Sequence, residues 1–188
     1  MIRKGLNMAR CNIAWLLLPA IVGLAGCVGA RQESNCPNVR IGVYDSRAVA
    51  IAYCGTPRQN AQIKQMMAEH KQAQAAGDTK RAKELKAQGR AGQKRMHRQG
   101  FGTEPVDDIL ETIKDKMPEI AKQAEVAAIV SKWDDKALAQ YKSAQQVDVT
   151  DLIVAQFNPG KKQLKWIEDI KTRKPIPNWK LYLLSALE

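Results

Sequence analysis

The stretch that decides the architecture is Pro57–Gln99, PRQNAQIKQMMAEHKQAQAAGDTKRAKELKAQGRAGQKRMHRQ. No aromatic occurs between Tyr53 and Phe101, and Ala, Gln, Lys and Arg, all good helix formers, dominate. Thr56-Pro57 has the form of an N-cap followed by N1. Ala76-Gly77-Asp78-Thr79 is a stop followed by a start: glycine suits the left-handed position after a helix, and Asp78 or Thr79 caps the next one. The pattern predicts a helical hairpin with arms near 57–76 and 79–99, in which Gly89 and Gly92 are weak points and Gly100-Phe101-Gly102 ends the second arm. Its large apolar residues are only Ile63, Met66, Met67, Leu85 and Met96. Helices this poor in apolar side chains project into solvent or pair thinly with each other.

The hairpin also concentrates charge. Between 58 and 98 lie 11 basic and 3 acidic residues, a surplus of +8. The 188-residue chain as a whole is +11. Acidic residues are too few to neutralise the hairpin by pairing one turn apart. The candidate partner-binding residues are therefore Lys71, Lys80, Arg81, Lys83, Lys86, Arg90, Lys94, Arg95 and Arg98, with Met66 and Met67 as the apolar part.

On either side of the hairpin the chain alternates or runs apolar. Val39–Tyr44 is a β-branched strand, followed by a short helix capped at Asp45-Ser46, running through Ala52 and ended by Gly55. After it, Thr103 caps a helix with Pro105 in its first turn; its apolar face is Ile109, Leu110, Ile113, Met117 and Ile120, and Pro118 is a candidate kink. Val126–Trp133 is a second strand, expected to pair with Val39–Tyr44. Ala137–Tyr141 is a short strand or a turn, and Val147–Thr150 leads into a helix over 151–157 capped by Asp148 or Thr150. Asn158-Pro159-Gly160 stops that helix, and a further one follows from Gln163 to Thr172. The expected class is α+β, a small β-sheet body with a projecting helical hairpin. With aromatics at 5 %, a large core is not expected.

The amino terminus sets the compartment. Arg3, Lys4 and Arg10 precede an apolar run, Ile13–Leu24, of 12 residues, too short for the roughly 20 that span a bilayer. Leu24-Ala25-Gly26-Cys27 resembles the lipobox of bacterial lipoproteins. That resemblance implies a signal peptide over 1–26, acylation at Cys27 and, because Val28 is not an aspartate, a lipid-anchored protein of the outer membrane facing the periplasm. Residues 27–38 form the lipidated tether, 39–158 the domain and 159–188 a C-terminal extension. Cys36 and Cys54 are a candidate disulfide in an oxidising compartment, or two unrelated thiols.

Ile41-Gly42-Val43-Tyr44-Asp45-Ser46, then Glu125–Trp133, then Val147-Asp148-Val149-Thr150-Asp151, resemble the opening strand and the closing signature of the Skp/OmpH family of periplasmic chaperones. The likeness covers about 39 to 157. It implies a small β body with helical tentacles, a homo-oligomer (a trimer in the family), and ATP-independent holding of unfolded outer-membrane proteins. The basic arm suits unfolded or acidic envelope proteins as partners. The alternative is a structural envelope lipoprotein whose cationic arm binds anionic cell-wall or outer-membrane polymer. Export argues against nucleic acid.

Catalytic chemistry is sparse. His70 and His97, the only histidines, lie on the basic helices without convergent partners. Asp134-Asp135, Asp148 and Asp151 fit caps and turns. The expectation is a protein that is not an enzyme, with no catalytic residues, no cofactor and no metal. Trp166, Trp179 and Tyr182 in the extension are core, a subunit contact or a membrane-surface patch, with core or subunit packing preferred.

Overall fold

A computed structural model describes residues 39–186, and the side chains through Leu184, within one compact unit. The signal, Cys27, the tether and Cys36 lie outside the described residues.

Three parallel strands form the sheet: β1 (Arg40–Tyr44), β2 (Ala128–Ser131) and β3 (Gln145–Asp148), in the order β2-β1-β3. The expected pairing of the first two strands is present, with Ile41 opposite Ala128 and Tyr44 opposite Ser131. On the other side Arg40 faces Gln145 and Val43 faces Asp148. Parallel neighbours require long crossovers, and helices supply them. Gly42 in β1 sits where a β-carbon would stand 3.0 Å from Val149 and 3.2 Å from Ile129, so a bare backbone lets both pack onto the strand.

Helix α1 (Ser46–Tyr53) starts at the end of β1, where the Asp45 carboxylate accepts the Arg47 N–H. Tyr44, Val49 and Ala50 join Val106, Ile109, Ile113, Ile120, Val149 and Ile153 in the main core. Helices α2 (Pro57–Ala75) and α3 (Thr79–Phe101) form the hairpin at almost the expected boundaries. Thr56 caps α2, Asp78 caps α3, and Gly77 takes the left-handed conformation between them, with φ 71°. Gly89 and Gly92 do not interrupt α3, which ends only at Gly102.

Several expectations are corrected. Thr103 is not a cap: its N–H bonds to Asn178 Oδ1, and the next helix, α4 (Asp107–Leu110), has no side-chain cap. The single helix expected there is three pieces: α4, a 3-10 turn (Glu111–Ile113) and α5 (Met117–Gln123). Pro118 lies in the first turn of α5 and so begins a helix instead of kinking one. Ala137–Tyr141 is neither strand nor simple turn. Asp134 accepts the Ala137 N–H to open α6 (Asp135–Leu138), which tightens into a 3-10 turn over Ala139–Tyr141. The third strand is β3, after which α7 (Thr150–Ala155) begins; Asp148 accepts the Thr150 N–H.

The 159–188 segment folds back on the domain. In α8 (Lys161–Thr172), Ile167 is buried with Ala48, Ala52 and Val154. Helix α9 (Asn178–Ala186) docks near the end of α3.

Candidate partner-binding groove

The hairpin is held by a thin antiparallel seam. Gln59 at the base of α2 bonds the sulfur of Met96; Met66 lies against Gly89; Ala73 and Leu85 are buried near the tip. Apart from these, almost every side chain on the two arms is partly or fully open to solvent. At 1.5 Å per residue the arms are about 28 and 34 Å long. In the outer half of the arms, where Met66 faces Gly89, the seam opens into a groove of 620 Å³.

Four of the eleven sequence-proposed residues meet at that groove: Met66, Met67, Lys71 and Lys86. Met67 is 67 % exposed, Leu85 forms part of the floor, and the two lysines stand on opposite arms. Lys71 and Lys86 make no ion pair with a described residue, and the same holds for Lys80, Lys83 and Arg90, all exposed. The groove thus combines flexible thioethers with uncompensated ammonium groups. It can take up apolar side chains whose flanks carry negative charge.

Four of the proposed cations are engaged within the chain. Arg81 pairs with Glu69 at 3.2 Å across the hairpin and with Glu84 along its own helix. Arg95 reaches Asp108 at 3.1 Å, and Arg98 pairs with Glu104. The hydrogen bonds it donates to the Glu104 carboxylate hold the Arg98 guanidinium more firmly protonated than usual. Lys94 is half-buried and is engaged by its surroundings. At the base end of α3, Arg95 and Arg98 are therefore answered by the protein's own carboxylates, while Lys71, Lys80, Lys83, Lys86 and Arg90, farther out, make no ion pair with a described residue. These carboxylates arrive because the chain reverses after Gly102, which spacing along α3 alone does not signal.

Two further features escaped the sequence reading. One is a 670 Å³ cleft bounded by α1, α3 and α8 and walled by Met96, His97, Phe101, Trp166 and Ile170. Cys54 stands exposed on its border, at the end of α1. His97 contacts the Phe101 ring edge-on and is a wall residue there, whereas His70 borders the groove between the arms.

The other is a buried charged node at the carboxyl ends of β1 and β2. Arg47, with no solvent exposure, donates from Nε (3.0 Å) and Nη2 (2.7 Å) to the Asp45 carboxylate and from Nη1 to the Arg173 carbonyl at 2.9 Å. Lys132 Nζ lies 2.7 Å from the same carboxylate, and Trp133 Nε1 donates to it. The Trp133 ring lies beneath both cations. The Asp45 N–H donates to Thr150 Oγ1. Burial by itself would raise the Asp45 pKa; hydrogen bonds and charge from Arg47 and Lys132 outweigh it and hold the carboxyl below its ordinary value. With every Asp45 oxygen engaged, the node locks β1, β2, α7 and the extension together and offers nothing to a ligand.

No group of three or more His, Cys, Asp or Glu among the described residues is placed to hold a metal ion. No helix among them is long and apolar enough to cross a membrane. The chain matches no family model, no curated protein and no solved structure.

Proposed function

We propose that this protein is an ATP-independent, holdase-type chaperone of the bacterial envelope, Skp/OmpH-like, that binds unfolded outer-membrane proteins along its hairpin. In this reading Cys27 carries the lipid anchor, the outer membrane is its home, the chain works in the periplasm, and copies associate, as trimers by resemblance. No catalytic step and no cofactor is required. The supporting observation is the 620 Å³ groove, which Met66, Met67, Lys71 and Lys86 line together. Unfolded membrane proteins present apolar segments of many shapes, and unbranched thioethers adapt to them at little steric cost. The lysines raise the capture rate of acidic chains and set the direction of approach.

The test is suppression of aggregation of an unfolded β-barrel protein diluted from urea. Capture by the parent chain is expected, weakened about tenfold at low salt by Lys71→Glu with Lys86→Glu. Met66→Ser with Met67→Ser should weaken it whatever the salt. All four side chains are at least partly exposed, so the fold should persist.

One observation favours the second reading, a structural lipoprotein that binds anionic cell-wall or outer-membrane polymer. Lys80, Lys83 and Arg90 are exposed cations outside the apolar groove, and binding a polyanion needs no groove. If the chain leaves the barrel protein to aggregate yet sediments with that polymer, losing it on Lys80→Glu with Lys83→Glu, the second reading replaces the first.

A further inference from the structure

Helix α9 carries an apolar face turned away from the protein. Successive residues of a helix are about 100° apart, which places Trp179, Tyr182 and Leu183 in one arc, roughly opposite Leu181. Leu181 is buried against the end of α3, and the outward arc is exposed at Trp179 (65 %) and Leu183 (60 %), with Tyr182 beside them 54 % exposed and engaged by its surroundings. Leu184 is exposed as well. Of the preferred expectation, core or subunit packing, the core half is overturned: Trp166, Trp179 and Tyr182 are all exposed on the single chain. Apolar surface of this density on a short helix marks an interaction site.

The face is held in place. Ile176 N–H donates to the Phe101 carbonyl at 2.8 Å, and Asn178 Oδ1 accepts the Thr103 N–H at 3.1 Å. A β-carbon on Gly102 would lie 2.3 Å from that Asn178 oxygen, so glycine is what lets α9 seat. Arg98 stands 4.6 Å from the centre of the Tyr182 ring and braces it from below.

Charge decides the occupant. Residues 161–184 hold seven basic residues against two acidic ones. Lys171 and Arg173 are paired with carboxylates, whereas Lys165, Lys174 and Lys180 are exposed and make no ion pair with a described residue. Lys180 flanks the aromatic arc directly. Tryptophan, tyrosine and leucine projecting outward beside unpaired lysines is the pattern of a helix lying in the headgroup region of a bilayer, with apolar side chains at the acyl boundary and ammonium groups at the phosphates. We propose that the outward face of α9 docks on an anionic lipid surface. A second copy of the chain would cover the leucines but bring its own lysines against these.

The assay uses the full chain and its Trp179→Phe variant on vesicles with bromine-labelled acyl chains, either phosphatidylcholine alone or an equimolar mixture with phosphatidylglycerol. Any membrane contact of the amino terminus is common to both chains, so their difference spectrum isolates Trp179. Bromine should quench Trp179 on the phosphatidylglycerol mixture at low salt and far less on phosphatidylcholine. Leu183→Glu with Leu184→Glu should cut that quenching about tenfold while circular dichroism stays unchanged. Trp179 emission left unquenched on the anionic vesicles, or quenched equally on both, overturns the proposal. So does an unquenched Trp179 in a particle whose mass falls with the Glu substitutions, because the face would then be a contact between copies.

Discussion

Replacing Arg47 by methionine removes the cation from the buried node while keeping much of its volume. The guanidinium has no solvent exposure and makes three hydrogen bonds, two to Asp45 and one to the Arg173 carbonyl. Taking one partner from a buried ion pair costs about 3–5 kcal/mol, because the other charge is left without compensation. Asp45 is not stranded, though: Lys132 remains 2.7 Å away and Trp133 Nε1 still donates. The loss should therefore sit near the lower end, about 3 kcal/mol. With a urea m-value of about 2 kcal/mol/M, usual for a domain of this size, the midpoint falls by about 1.5 M. Adding Asp45→Asn should recover about 1–2 kcal/mol of that loss, since the asparagine still caps α1 and no buried charge is left behind. A midpoint shift below about 0.3 M for Arg47→Met, or strictly additive effects in the pair, would refute the idea that this node holds the sheet and the extension together.

The remaining expectations follow from other parts of the molecule. Because the Asp45 carboxyl is held below its ordinary value, the unfolded state takes up protons first as pH drops. Its contribution is complete above about pH 3.8 and is lost as pH falls from there through the folded-state value; acid titration of the Asp45→Asn variant should show a shallower decline over that range. Gly42→Ala should cost about 1–3 kcal/mol, read in the same urea experiment, since the new methyl meets Val149 at 3.0 Å in a packed layer. The hairpin groove is tested by the aggregation assay with Lys71→Glu and Lys86→Glu, and the α9 face by bromolipid quenching of Trp179.

What the sequence disclosed is local chemistry. Thr56-Pro57 and Gly77-Asp78 specify helix ends through bonds within a few residues, and both fall at the predicted places. Strand β2 was visible because its neighbourhood is nearly all apolar. Strand β3 was not, since Gln145 and Gln146 are exposed and its pairing rests on backbone bonds such as Gln145 N–H to the Val39 carbonyl. The same boundary explains the charges. Lys71 and Lys86 remain unpaired as composition implied, but Arg95 and Arg98 are answered by Asp108 and Glu104, which only the reversal after Gly102 brings near. Arg47 is the extreme case. In a short helix with no other charge a lone arginine signals solvent, yet its third bond goes to a carbonyl 126 positions away.

The two proposed surfaces are joined by α3. Helix α9 seats at its Arg98–Gly102 end, and the groove includes Lys86 and Gly89, about 20 Å back along the same helix. Between them the cations that might have blurred the two sites, Arg95 and Arg98, are neutralised by Glu104 and Asp108. Along α3 the unpaired cations therefore end at Arg90, and the paired Arg95 and Arg98 separate them from the lysines of the α8–α9 segment. Such a division lets one end meet anionic lipid while the other stays open to a client. It also makes the two activities separable by substitution: Lys71→Glu with Lys86→Glu should leave Trp179 quenching intact, and Leu183→Glu with Leu184→Glu should leave client capture intact. Loss of both functions from either pair would mean that one surface, not two, does the binding.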